Sequence, residues 1–132
     1  MEKTLVIIKP DGIRRHLMGE IIRRYEEKGL FIDAMWYGKA SKETLAEHYL
    51  EHEGKPFYQD LMAFMMSGDL LAMVIKGPNA VSMVRKINGA TDPDDADLGS
   101  IRGRYSWSKT ENLVHGSDSL ESAEREIKIW FK

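Results

Sequence analysis

The sequence predicts an α+β fold: a ferredoxin-like βαββαβ core, with a four-stranded antiparallel sheet and helices packed on it. Three observations lead there. Short β-branched apolar runs alternate with stretches of helical periodicity, which calls for a sheet with helices layered on one face. Helical patterns follow the first and third strand-like runs, as a split β-α-β arrangement requires. The turn after the first run, Pro10-Asp11-Gly12, is not glycine-rich, which disfavours a doubly wound parallel sheet, the alternative. A chain of 132 residues suits one domain, 1–132, with a real core.

The elements follow in order. Residues 4–9 form a β-branched apolar strand closed by the Pro-Asp-Gly turn. Met18, Ile21, Ile22 and Tyr25 recur at helical spacing, and Gly29 ends that helix. Residues 30–37 are apolar and aromatic with only Asp33 intervening, a second strand. Ser41 caps a helix carrying Leu45 and Tyr49, and Phe57, Leu61, Met62 and Met65 mark another after Pro56. Residues 70–75 are the third strand. Asn79 is the expected cap of a helix that turns Val81, Val84 and Ile87 inward. Residues 88–111 show neither period and read as an ordered functional loop, with Ile101, Tyr105 and Trp107 to anchor it. Leu113 and Val114 end a fourth strand. Ser117, Asp118 and Ser119 start a last helix lined by Ala123, Ile127, Trp130 and Phe131.

Composition excludes several functions. The net charge of −2 gives no strongly basic surface, so no dedicated nucleic-acid site is expected. There are no cysteines, hence no disulfide, thiolate zinc site or cysteine nucleophile. The run from Leu5 to Ile8 is too short for a signal-peptide core, and no stretch is long enough to span a membrane. A cytoplasmic protein is expected.

The most informative run is Asn112-Leu113-Val114-His115-Gly116-Ser117-Asp118-Ser119. It sets His115 at a strand-to-helix turn, exposed but held, with Gly116 allowing close backbone approach. A neutral imidazole there is a nucleophile, since one nitrogen keeps a lone pair while the other donates a hydrogen bond. Glu126 on the next helix is a candidate to orient the ring; the plainer reading is a helix charge paired with a neighbouring base. Lys9 projects from a strand end, Arg85 lies near a helix end and Arg102 in the long loop. Each alone reads as a surface charge, but together they could neutralise a polyphosphate. The acidic run from Asp92 to Asp97 lacks the glycine and glutamate of a calcium loop, and His16, His48 and His52 have no metal-site spacing.

The motifs taken together resemble the nucleoside diphosphate kinase family. The resemblance rests on the His115 run, Lys9-Pro10-Asp11-Gly12, His48-Tyr49 with Pro56-Phe57-Tyr58, Gly99-Ser100-Ile101-Arg102-Gly103, and residues 121–127, in the expected order from Thr4 to Phe131. It implies ping-pong transfer of the γ-phosphoryl of a nucleoside triphosphate, typically ATP, to a nucleoside diphosphate through a phosphohistidine. His115 would be the nucleophile, oriented by Glu126 with Ser117 behind it. Lys9, Tyr49, Arg85, Thr91, Arg102 and Asn112 would hold phosphates and ribose, and Phe57 one side of the base, which any base can satisfy by stacking. Mg²⁺ is expected on the nucleotide phosphates, with no protein metal site beyond Asp118 through water. A homo-oligomer built from dimers is implied, a hexamer before a tetramer or free dimer. Two positions depart from the family pattern: Arg104 where an acidic residue is usual, and Leu98 where many relatives have proline. The chain also stops at Lys132, short of the tail many relatives carry. These departures bear on assembly rather than on the reaction. Rival readings are a phosphohistidine carrier serving another protein and a non-catalytic module. Phe57 and Thr91 favour a nucleotide acceptor over the first, and the intact charged set opposes the second.

Overall fold

The apolar run that opens the chain becomes an inner strand of the sheet. The computed structural model describes residues Met1–Lys132. Its strands are β1 (Glu2–Ile8), β2 (Phe31–Gly38), β3 (Leu70–Gly77) and β4 (Val114–Gly116). The helices are α1 (Pro10–Arg14), α2 (Met18–Glu27), α3 (Lys42–His48), α4 (Tyr58–Met65), α5 (Ala80–Asn88), α6 (Ile101–Tyr105) and α7 (Leu120–Trp130). The sheet order is β2-β3-β1-β4 and every neighbouring pair is antiparallel, so the fold is ferredoxin-like α+β.

Helices cover both faces of the sheet, not one. Strand side chains alternate, so Val6 and Ile8 point to one side and Leu5 and Ile7 to the other. The first pair packs with Met73, Ile75, Ile21, Tyr25, Val84 and Ile87. The second packs with Leu70, Ala72, Leu45, Met62 and Met65, and Ile127 and Trp130 lean on them. Burial on both faces explains why residues 4–8 read as an unbroken apolar run rather than an alternating one. Each fully buried aliphatic chain contributes about 1.5–3 kcal/mol.

Several local expectations change. Pro10-Asp11-Gly12 is the first turn of α1, with proline at a position whose missing N–H costs nothing. Gly12 is needed there, because a Cβ would stand 2.8 Å from Ile8 Cγ2 and 3.2 Å from the Leu113 carbonyl. Asp33 sits at a β-bulge in β2 and pairs with Lys3 at 3.1 Å. Asn79 occupies the cap position of α5 in a left-handed conformation, but its side chain caps nothing; Glu2 Oε1 accepts from Val81 N instead, at 3.1 Å. The 88–111 segment contains α6, capped by Ser100, whose Oγ accepts from Gly103 N at 3.1 Å. Five residues are too few for a hydrophobic period to show. Ile101 is fully buried in this subunit's own core and Tyr105 packs against it, so of the three expected anchors only Trp107 is left exposed.

Candidate active site

His115 lies within β4, opposite Ile7 of β1, rather than at the turn beyond the strand. The backbone ladder therefore holds it rigidly at the edge of the sheet. Leu113 takes φ 76°, which turns the chain into β4, and Asp11 Oδ2 accepts its N–H at 3.1 Å. Burial raises the Asp11 pKa, and nearby Lys9 works against that rise.

A cleft of about 350 Å³ opens beside His115. It gathers Lys9, Tyr49, Arg85, Thr91, Arg102 and Asn112, which come from six different segments of the chain. Glu126 and Asp118 line it as well.

Glu126 reaches His115 Nε2 with Oε1 at 2.8 Å. The same oxygen accepts from Ser117 Oγ at 2.7 Å, and Ser117 Oγ in turn accepts from Leu5 N at 3.1 Å. A carboxylate can only accept, so Nε2 carries the ring proton and Nδ1 keeps the lone pair. Ser117 is fully buried and Glu126 nearly so, so the carboxylate's position is tightly held. His48 adds a second ring, edge-on to His115 with centroids 4.7 Å apart. Trp130 Nε1 donates to His48 Nδ1 at 3.0 Å. Burial, and then the neighbouring His115, hold the His48 pKa well below the usual histidine value, so this ring stays neutral.

The cationic groups are held by specific partners. Lys9 Nζ donates to Asn112 Oδ1 at 2.9 Å. Burial and then Arg102 lower its pKa to about 8, although Asp11 opposes the shift. Asn112 Nδ2 donates to the Lys109 carbonyl at 3.0 Å. Arg102 is braced rather than free: it donates to the carbonyls of Gly89 and Val114 at 2.6 Å each, and burial lowers its pKa to about 10. It ties the end of α5 to the strand that carries His115. Arg85 and Thr91 are exposed at the rim.

Phe57 lies outside the cleft wall. It is half-exposed and packs edge-on against His52, with centroids 5.3 Å apart, and His52 itself lines the cleft. Reading the sequence for metal spacing missed His48 and His52, and it passed over Asn88. The available signal for His48 was its spacing of three from Leu45, which puts both on the buried side of α3.

The donors of His48, His115 and Glu126 lie within 4.8 Å of one another. Two nitrogens and a carboxylate already engaged in hydrogen bonds are a poor set for Mg²⁺, which prefers oxygen and retains water. Asp118 suits it better. It is an exposed carboxylate at the rim, and hydrogen bonds from Ser122 and then Ser119 keep its pKa below the usual range.

A held histidine with a free lone pair faces a cationic cleft on a ferredoxin-like sheet, an arrangement chemically able to take up a phosphoryl group and hand it on. The nucleoside diphosphate kinase family profile matches residues 2–132. A nucleoside diphosphate kinase of Caldanaerobacter subterraneus is 56% identical over 99% of this chain and 94% of its own length. One from Saccharopolyspora erythraea is 52% identical over 98% and 96%. The solved structure of the Halobacterium salinarum nucleoside diphosphate kinase in complex with CDP superposes with a TM-score of 0.96 at 44% identity, covering 99% of this chain and 88% of that one. The chain belongs to the nucleoside diphosphate kinase family. It is an enzyme that transfers the γ-phosphoryl of a nucleoside triphosphate to a nucleoside diphosphate.

Proposed function

We propose that the transfer runs by a ping-pong mechanism through a phosphohistidine on His115, within a single domain spanning 1–132. The observation that carries this is the bond from His115 Nε2 to Glu126. It leaves Nδ1 as the only ring atom able to attack. In the first half-reaction the Nδ1 lone pair forms the N–P bond as the bond from phosphorus to the β-phosphate oxygen breaks, and the diphosphate leaves. In the second, the terminal oxygen of another diphosphate displaces the nitrogen. Glu126 offsets the charge that develops on the ring, and Ser117 fixes the carboxylate. Phosphoryl transfer depends on positioning and charge stabilisation. Lys9, Arg85 and Arg102 supply positive charge, Tyr49, Thr91 and Asn112 supply hydrogen bonds to phosphate and ribose, and Phe57 stacks on the base at the rim.

Kinases of nucleotides generally use a divalent metal. Mg²⁺ bound on the phosphates would neutralise charge there, with Asp118 reached through water.

For the assembly we favour a homo-oligomer built from dimers, a hexamer before a tetramer or a dimer. Edge strand β2 turns Phe31, Met35, Trp36 and Tyr37 to solvent, and Leu98 and Trp107 are strongly exposed. An unpaired apolar strand edge is a surface that calls for a cover. No helix is long and apolar enough to cross a membrane, and the working compartment is taken to be the cytoplasm.

The test is incubation with γ-labelled ATP and Mg²⁺, removal of nucleotide, then a chase with unlabelled GDP. An acid-labile label on the protein that moves to GTP is expected. Label passing straight to GDP only when both nucleotides are present would overturn the covalent route. Label held until a second protein is added would favour a carrier.

A further inference from the structure

Asn88, the last residue of α5, lines the cleft yet is only 1% exposed. A buried amide needs partners for its oxygen and for its two N–H donors. Its Oδ1 accepts from the Tyr25 hydroxyl at 2.5 Å. Tyr25 is fully buried in the core cluster on that face of the sheet, so its hydroxyl has no water to use instead. The Tyr25 hydroxyl has no other acceptor for its hydrogen, which fixes the amide: Oδ1 faces Tyr25 and Nδ2 faces away. Nδ2 lies over Gly116, where a Cβ would come within 2.8 Å of it. Gly116 follows His115 in β4, and both line the cleft. Nδ2 donates to no protein acceptor, and it is not among the sealed-off polar atoms, which are Thr4 Oγ1, Asp11 Oδ1 and His52 Nδ1. Arg102 grips the carbonyls of Gly89 and Val114 on either side of this spot. An amide donor and a guanidinium thus line the same cleft as the histidine, and a phosphoryl oxygen is the partner that suits both.

We infer that Asn88 is a further phosphate-binding residue, presenting its Nδ2 donor to a phosphoryl oxygen beside His115, and that Tyr25 is the positioning residue that sets the direction of the amide. This rests on the kinase reading above.

The test measures ADP binding by calorimetry with Mg²⁺, using the full chain and the variants Asn88→Leu, Asn88→Asp and Tyr25→Phe, each checked by thermal melting. Asn88→Leu removes the donor at similar volume and should weaken ADP by roughly tenfold, the size of one hydrogen bond to a charged group. Asn88→Asp keeps the acceptor for Tyr25 but replaces the donor with negative charge, so it should weaken ADP more than Asn88→Leu does. Tyr25→Phe leaves the donor but frees the amide to turn, and its loss should be smaller. A merely structural Asn88 predicts instead that a folded Asn88→Leu protein, which keeps the volume and adds no charge, binds ADP like the parent. That result overturns the proposal. If either Asn88 variant fails to fold, Tyr25→Phe decides, since unchanged ADP affinity there overturns it too. Failure of the unaltered protein to bind ADP would instead sink the kinase reading itself.

Discussion

At one edge of the sheet, β4 is surrounded by buried Lys9, Arg102, Asn112, Ser117 and Glu126; at the other, β2 turns Phe31, Met35, Trp36 and Tyr37 outward. Polar groups are inside where a core would be apolar, and apolar groups are outside where a surface would be polar. The β4 edge tolerates its buried polarity because each of these groups has a partner: Lys9 with Asn112, Arg102 with two carbonyls, Ser117 with Glu126. Removing one partner there strands the other at about 1–3 kcal/mol, so the geometry is tightly specified. At the β2 edge Asp33 pairs with Lys3 and Trp36 leans on Trp130, but Phe31, Met35 and Tyr37 remain half-exposed or more. The proposed chemistry falls at the first edge, and the proposed association would use the second.

The largest effect should come from removing the nucleophile. His115→Ala should lower turnover by several orders of magnitude, to the residue left when a site binds but cannot react. ADP binding should remain. Single-turnover labelling by ATP measures the first and calorimetry the second. Near-normal turnover would mean that the β4 edge is not where chemistry occurs.

Glu126→Gln comes next. It keeps the shape but loses the charge that orients and supports the ring. A charge-assisted hydrogen bond of about 1.5–3 kcal/mol corresponds to roughly 10- to 100-fold in the phosphorylation rate. An unchanged rate would reduce Glu126 to a helix charge.

Lys9 makes the polar edge pH-sensitive. Its pKa is lowered from 10.5 to about 8, so the free enzyme loses this positive charge as pH rises through that value. ADP affinity should therefore fall between about pH 7 and about pH 9, and Lys9→Met should flatten the profile. Stability runs the other way. The unfolded chain binds this proton more tightly, so the penalty of burying the charge is fully present below the folded pKa and is relieved as pH rises toward 10.5. Calorimetric titrations and denaturant midpoints at matched pH separate the two trends. A parallel fall in both would contradict the assignment to Lys9.

Phe57→Ala should weaken all nucleotides alike, at the low end of the 1–3 kcal/mol of a full stacking contact, about 1 kcal/mol, because the ring is half-exposed at the rim. Dissociation constants for ADP, GDP, CDP and UDP test it. A purine-only effect would replace the sequence-tolerant stacking surface with a selective one.

The smallest effect on the subunit, and the sharpest test of the contrast, is Met35→Lys. A half-exposed residue of an edge strand should shift subunit stability by only about 0.5 kcal/mol. Its charge should nevertheless disperse the assembly across a dilution series in sedimentation velocity. Wild-type sedimentation of that variant would remove β2 from the interface.

Much of the β4 edge was legible because its residues sit in short, chemically unusual runs. A lone histidine after Leu113-Val114 and before a serine-rich helix start carries its meaning locally, and so does Lys9 at the end of an apolar strand. The β2 edge was legible as a strand but not as an edge, since an apolar run reads alike whether buried or waiting for a partner. Ile101 and Tyr105 show the same limit. They read as anchors of a loop without showing what they anchor to, and the structure buries Ile101 in this subunit's own core with Tyr105 packed against it.

By itself the sequence determined the alternation of strands and helices and the ferredoxin-like class, and it nominated the residues proposed to react, because periodicity and residue chemistry are local. The tertiary structure decided what depends on distance through space. It put helices on both faces of the sheet, and it gave Glu126 one oxygen for both His115 and Ser117. It placed His48 edge-on to His115 and left Phe57 outside the cleft wall. It also joined Tyr25 to Asn88, which are 63 positions apart. No local pattern encodes such a pair, because hydrogen-bond geometry is set when the elements pack and not when they form.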